Sequence, residues 1–150
     1  MNSRDEHEHV LRRASWKDQA RLEPARAVPS EITSPDMSLR LQNITVDCAD
    51  PERVAQFWSE ALQLPVHGPD DGEWWLEPGG DSPDILFLSV PEAKSVKNRV
   101  HIDLRPDDQD AEVARLTNLG ARRIDIGQGE VTWVVMSDPE GNEFCVLRPR

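Results

Sequence analysis

The chain has 150 residues, enough for one domain with a sizeable hydrophobic core. Its formal net charge of −11 would repel phosphate groups, which argues against a nucleic-acid partner and an anionic membrane surface. The sequence has no apolar run long enough to span a membrane and no signal-peptide pattern. Because its two cysteines, Cys48 and Cys145, are far apart, we expect reduced thiols and a cytoplasmic protein.

The first 37 residues have the composition of a tail. They contain few large apolar side chains, many charged ones and several prolines, so they cannot bury enough surface to offset the entropy of ordering. We predict that residues 1–37 are disordered or weakly helical and that residues 38–150 form the folded domain. His7 and His9 lie in this tail, where such a pair is more often accidental than a metal chelator.

One sequence pattern occurs twice in the folded part, at residues 44–65 and again 57 positions later at residues 101–122. Each copy reads as an alternating strand, an acidic turn, an amphipathic helix and further strands. A duplicated unit usually builds one shared core, often with a cleft between its halves. We predict an α+β domain of two βαβββ units, at about 38–92 and 98–150. They would form one curved, mostly antiparallel eight-stranded sheet around a cup, with both helices on the outside.

In the first copy, the alternation of residues from Leu39 to Asp47 predicts a strand. Asp50 and Pro51 are typical of a helix start, and apolar residues follow at helical spacing as far as Leu62. The second copy repeats this order, with a helix at residues 107–119. Further strands are predicted at 73–77 and 84–90 in the first copy and at 99–104, 122–126, 131–137 and 143–147 in the second.

Four segments of the folded part carry a family resemblance: DPERVAQFWSEAL, VHIDL, LTNLGAR and WVVMSDPEGNEFCVL. Through them, residues 38–150 resemble the vicinal oxygen chelate superfamily, which contains glyoxalases, bleomycin-resistance proteins and extradiol dioxygenases, and above all its glyoxalase-like subgroup. The resemblance implies paired βαβββ units. It does not fix the activity, because the superfamily includes lyases, isomerases, dioxygenases and proteins that only sequester drugs.

Enzymes of this superfamily hold a divalent metal at four positions, which the resemblance places at Asn43, Phe87, His101 and Cys145. Only His101 matches the usual ligand types, and phenylalanine has no donor atom. Because a catalytic metal normally needs about three protein ligands, we predict no metal cofactor. The alternative is a divalent metal held by His101, Cys145 or Glu143.

His101 is the strongest candidate for chemistry, because an imidazole can act as a general acid or base near neutral pH without a metal. Glu143 or Asp103 could orient it, so we predict His101 and Glu143 as catalytic residues. The alternative is a histidine that is only hydrogen-bonded to a neighbour. Aromatic side chains could line the cup or fill its base as ordinary core. The predicted ligand-binding residues are Asn43, Trp74, Trp75, Phe87, His101, Asp103, Trp133 and Cys145.

These observations favour a protein that binds a small organic molecule in the cup without the usual metal site. The alternative function is a metal-dependent lyase, isomerase or dioxygenase that uses His101 and substitute ligands. A homodimer is the expected assembly, since many relatives implied by the resemblance dimerise.

Overall fold

The two copies of the repeat fold into two similar units, each with one strand, one helix and three further strands. The structure is a computed structural model that describes residues 39–150, so the predicted tail lies outside the described residues. The first unit contains β1 (Asn43–Cys48), α1 (Pro51–Leu62), β2 (Val66–Asp70), β3 (Glu73–Leu76) and β4 (Asp84–Ser89). The second contains β5 (Ile102–Leu104), α2 (Gln109–Asn118), β6 (Arg122–Arg123), β7 (Val134–Ser137) and β8 (Glu143–Val146).

Each unit builds its own four-stranded sheet, with the strand orders β1-β4-β3-β2 and β5-β8-β7-β6. In both sheets the first strand pairs in parallel with the last strand of its unit, and the other pairings are antiparallel. The predicted α+β class and paired βαβββ units are confirmed. The strands hydrogen-bond as two sheets, in which β1 and β5 are edge strands.

Both helices begin at an aspartate that caps their first turn. The Asp50 carboxylate accepts a hydrogen bond from the Arg53 backbone N–H at 3.1 Å, and Pro51 occupies the first helical turn. The Asp108 carboxylate accepts from the Ala111 N–H at 3.0 Å. The caps lie 58 positions apart, so the repeat is one residue longer here than the sequence alignment indicates.

The helices and the two sheets share one hydrophobic core. Helix α1 buries an apolar stripe, and two of its rings, Phe57 and Trp58, reach Phe144 on β8 of the other unit. The ring centroids of Trp58 and Phe144 are 5.1 Å apart in an edge-on arrangement, which aromatic pairs prefer. These contacts join the two units through the side of each sheet that faces the helices.

Asp138, in the turn between β7 and β8, forms hydrogen bonds both with a side chain of this core and with the backbone of its own turn. It is 2% exposed, and its two carboxylate oxygens accept four hydrogen bonds. Three come from its own turn: the N–H groups of Glu140 and Asn142 and the Asn142 side chain, each at 2.9 Å. The fourth comes from the Trp58 indole at 3.3 Å. A buried carboxylate that is satisfied in this way stabilises the turn.

Glu140 in the same turn reaches the start of the other unit's helix. Its carboxylate accepts hydrogen bonds from the backbone N–H groups of Ala49 and Asp50 at 2.7 and 2.6 Å. Negative charge is favourable at this position because the unpaired N–H groups of a helix N-terminus point toward it. The DPEGN turn therefore holds the two units together.

Among residues 39–150, no helix has both the length and the apolar character that a membrane crossing requires.

Candidate functional site

Each sheet has a far face, defined here as the side turned away from the shared core. On β1, Val46 and Cys48 pack into the core, and alternation places Asn43, Thr45 and Asp47 on the far face. The Asn43 amide donates a hydrogen bond to the Thr45 hydroxyl at 2.8 Å. The predicted ligand residue Asn43 thus lies on a surface that a small molecule can reach.

Aromatic side chains continue this surface across the first sheet. Four residues follow one another across the strands β1, β4, β3 and β2 as register pairs. Thr45 pairs with Leu86, Leu86 pairs with Trp75, and Trp75 pairs with His67. The rings of His67 and Trp75 are stacked, with centroids 5.4 Å apart and planes 19° from parallel. Glu77 lies near this pair, 3.9 Å from the His67 Nε2 atom. Trp75 therefore belongs to the far face, as one of two adjacent tryptophans must.

Trp74 and Phe87 lie on the other side of the same sheet. Phe87 is completely buried in the core, and Trp74, its register neighbour, packs against that core. Phe87 and Trp74 thus do not lie on the far face, which corrects the prediction that they bind the ligand. In the second unit Asp103 pairs with Cys145, and the equivalent pair in the first unit is Thr45 with Leu86. The assignment was one residue out of register, and a shift of one residue along a strand reverses the face.

Cys145 and Asp103 stand side by side on the far face of the second sheet. The thiol is only 6% exposed. Burial raises its pKa, and the charge and hydrogen bond of Asp103 raise it further, against a smaller opposing effect of Lys97. The thiol is therefore protonated at neutral pH, which makes Cys145 a poor nucleophile and a poor metal ligand.

His101 is exposed just before β5, and its Nε2 atom lies 2.5 Å from the Lys97 ammonium nitrogen. Because an ammonium group can only donate, a hydrogen bond at this contact needs the tautomer in which Nε2 is the acceptor. The imidazole is thus engaged by a cation rather than by the carboxylate that we expected to orient it.

Glu143, the second predicted catalytic residue, holds the loop between the units. Its carboxylate accepts hydrogen bonds from the Lys94 ammonium at 3.0 Å and from the Asn98 N–H at 2.9 Å. Burial acts to raise the pKa of Glu143, but these two hydrogen bonds, one from its own backbone and the charge of Lys94 together outweigh burial, so the net shift is downward. A catalytic partnership between His101 and Glu143 stays a prediction.

The donor chemistry at the family's four ligand positions does not fit a divalent metal. These positions hold a carboxamide, a hydrocarbon side chain, an imidazole whose Nε2 already faces an ammonium group, and a thiol with a raised pKa. Within residues 39–150, no group of three or more His, Cys, Asp or Glu side chains is arranged to hold a metal ion. We therefore derive no chemical step through a metal.

Two further observations complete the site. Trp133 is 39% exposed just before β7, so its ring is accessible to a ligand. Lys97 was not predicted as a site residue from the sequence, because it lies between the predicted units at about 38–92 and 98–150. The signal that could have indicated it is the basic run KSVKNR in an otherwise acidic chain.

Comparison with known proteins fits this architecture. A model of the glyoxalase-like domain family matches residues 43–147, which is most of the chain. The chain belongs to this family. The resemblance to the vicinal oxygen chelate superfamily is thereby confirmed, and no curated protein matches the sequence.

Solved structures with the glyoxalase-like fold are similar over nearly their whole length. An antibiotic binding protein, TnmS3 from a Streptomyces species, is 23% identical, with a TM-score of 0.55 over 76% of this chain and 99% of its own. A glyoxalase/bleomycin resistance protein/dioxygenase family enzyme from Burkholderia phytofirmans is 16% identical, with a TM-score of 0.58 over 75% and 100%. The fosfomycin resistance protein FosX from Mesorhizobium loti is 18% identical, with a TM-score of 0.56 over 74% and 92%. At these identities the likeness establishes the fold alone.

Proposed function

We propose that this glyoxalase-like protein binds a small organic molecule on the far faces of its sheets, without the usual metal site of the superfamily. The observation that carries the proposal is the stacked pair of His67 and Trp75, which presents an aromatic surface on a sheet face turned away from the core. Aromatic surfaces of this kind bind planar groups. One neighbour of the same fold is named as an antibiotic binding protein, which supports a binding role without identifying the ligand.

The poor fit of the donor set to a metal favours binding over the alternative, a metal-dependent lyase, isomerase or dioxygenase. Such an enzyme would need His101 to leave Lys97 and Cys145 to lose its proton. Each change opposes an interaction present in the structure, so the binding function requires fewer rearrangements.

The binding proposal is tested by calorimetric titration with uncharged planar probes, indole and quinoline. We expect both to bind, and Trp75→Ala to weaken them about tenfold, since loss of one stacking partner costs on the order of 1–1.5 kcal/mol. Glu60→Ala is the control, because it removes an exposed side chain from α1, on the core side of the sheets and away from the stack. Absence of binding, or equal losses in the two variants, would contradict the proposal.

We further propose that the chain forms a homodimer through β1 and β5, each an edge strand of its sheet. Exposed apolar side chains flank both edges: Leu39, Leu41 and Ile44 at β1, and Val96 and Val100 before β5. Free edges with apolar surroundings are prone to pair with another strand. A second copy is the occupant we favour, because the repeat provides two equivalent edges that a two-fold axis can join.

A cytoplasmic location is also proposed. Cys48 and Cys145 are both free and buried, as expected for a protein that folds in a reducing compartment.

A further inference from the structure

The loop that precedes β5 carries the opposite charge from the chain as a whole. Lys94, Lys97 and Arg99 lie within six residues and are followed by His101, whereas the chain has a net charge of −11. A local reversal of sign matters because it sets which ligand groups are attracted at short range.

This loop is attached firmly to the second sheet. Glu143, whose side chain is only 9% exposed, pairs with Lys94 and accepts from the Asn98 N–H. Lys94 also donates to the Val96 carbonyl oxygen at 2.7 Å. These bonds balance the charge of Lys94 and fix the backbone on either side of Lys97, so the Lys97 ammonium is presented in a defined place.

Lys97 differs from Lys94 because its hydrogen-bond partners are an imidazole and a backbone carbonyl. Its ammonium donates to His101 Nε2 at 2.5 Å and to the Asn98 carbonyl oxygen at 3.4 Å. The ion pairs within residues 39–150 join His67 to Glu77, Lys94 to Glu143 and Arg115 to Glu112, so none of them includes Lys97. Asp103 is the carboxylate nearby on the same face, and its hydrogen bond is with the Cys145 thiol.

We propose that Lys97 and His101 bind the anionic group of the small molecule, an oxyanion of the carboxylate or phosphate type. This inference rests on the proposed binding function and gives it a ligand class. An ammonium group has three N–H donors, and hydrogen bonds to residues of the described part of the chain, 39–150, engage two of them. In the tautomer whose Nε2 accepts from Lys97, the imidazole presents its Nδ1–H as a further donor. Charge-assisted hydrogen bonds from such donors are the strong ones, and an oxyanion would supply the negative charge that Lys97 lacks.

The test is titration of the full-length protein with inorganic phosphate, methylphosphonate and acetate at constant ionic strength. We expect saturable binding of at least one oxyanion in the millimolar range and none of tetramethylammonium. A preference for phosphate and methylphosphonate or for acetate identifies which type of group the site takes. Saturable binding of none of the three oxyanions would overturn the inference.

Variants locate the site. Lys97→Gln should weaken oxyanion binding about tenfold, the effect of losing one charge-assisted hydrogen bond. Lys97→Arg should retain it, because the charge and donors remain. Arg123→Gln removes the same charge from exposed β6 and should have no effect. Equal weakening by Lys97→Gln and Arg123→Gln would show that the effect is general electrostatics and would overturn the assignment.

The two sets of probes distinguish a failure of the oxyanion inference from a failure of the proposed binding function. If indole and quinoline bind but the oxyanions do not, the ligand class is wrong and the binding function stands. If neither set binds, both proposals fail.

Discussion

The pKa of each of the two thiols is raised, in both cases by burial and by nearby carboxylates. Burial raises the pKa of Cys48 to about 12, with added effects of Glu140, Asp138, Asp47 and Asp50. The pKa of Cys145 is raised by burial and by Asp103.

We predict that neither cysteine of the native protein reacts readily with iodoacetamide near neutral pH, and that both react after unfolding in urea. Mass spectrometry of the alkylated protein measures this. Rapid labelling of native Cys145 would instead support a nucleophilic role.

Glu143 makes the loop sensitive to acid. Its pKa lies below the ordinary value of 4.5, so its contribution to stability is present above that pH and disappears as pH falls through the folded-state pKa. We predict that Glu143→Gln lowers the free energy of unfolding by about 1–2 kcal/mol at neutral pH, because two hydrogen bonds to a charged group are weakened.

Urea titrations of the Glu143 variant across pH give the direct check. The difference between Glu143→Gln and the unmodified protein should shrink as the pH falls below 4.5. Glu130→Gln, at an exposed position, is the control and should change stability little at any pH. A difference for Glu143→Gln that does not depend on pH would contradict the role given to its carboxylate.

At the scale of elements, the turn between β7 and β8 is the connection between the units. Removing the Asp138 carboxylate leaves buried donors, including the Trp58 indole, without an acceptor. We predict that Asp138→Ala costs about 2–4 kcal/mol of unfolding free energy. Asp125→Ala is a matched control, since Asp125 accepts one local hydrogen bond from Gly127 in an exposed turn. Equal losses in urea unfolding would show that the turn does not join the units.

The sequence predicted the elements whose causes are local and missed the contacts that cross between units. Asp50 and Pro51 predict the start of α1, because a helix cap is a hydrogen bond between residues only three positions apart. The register of β4 was not readable, since the offset between the copies changes from 58 residues at the helix caps to 59 between Leu86 and Cys145, which moves Phe87 to the core. The contact between Glu140 and Asp50 joins residues 90 positions apart, and no pattern in a single sequence indicates it.

For the molecule as a whole, the edge strands β1 and β5 lead to a prediction about assembly. Sedimentation should give twice the chain mass, and Val100→Asp should shift the protein toward the monomer by placing a charge in an apolar interface. Gln56→Asp adds the same charge on exposed α1 and should leave the assembly unchanged. A monomeric unmodified protein, or the same behaviour in both variants, would argue against a dimer through these edges.

The central claim, binding of a small molecule without the usual metal, has one direct test. Protein purified without chelator is assayed for Zn, Ni, Fe and Mn, and quinoline binding is titrated before and after treatment with EDTA. We predict a substoichiometric metal content and the same quinoline affinity in both titrations, because the donors at the ligand positions do not suit a divalent ion. One metal ion per chain, with quinoline binding lost on chelation and restored by adding that metal back, would contradict the account.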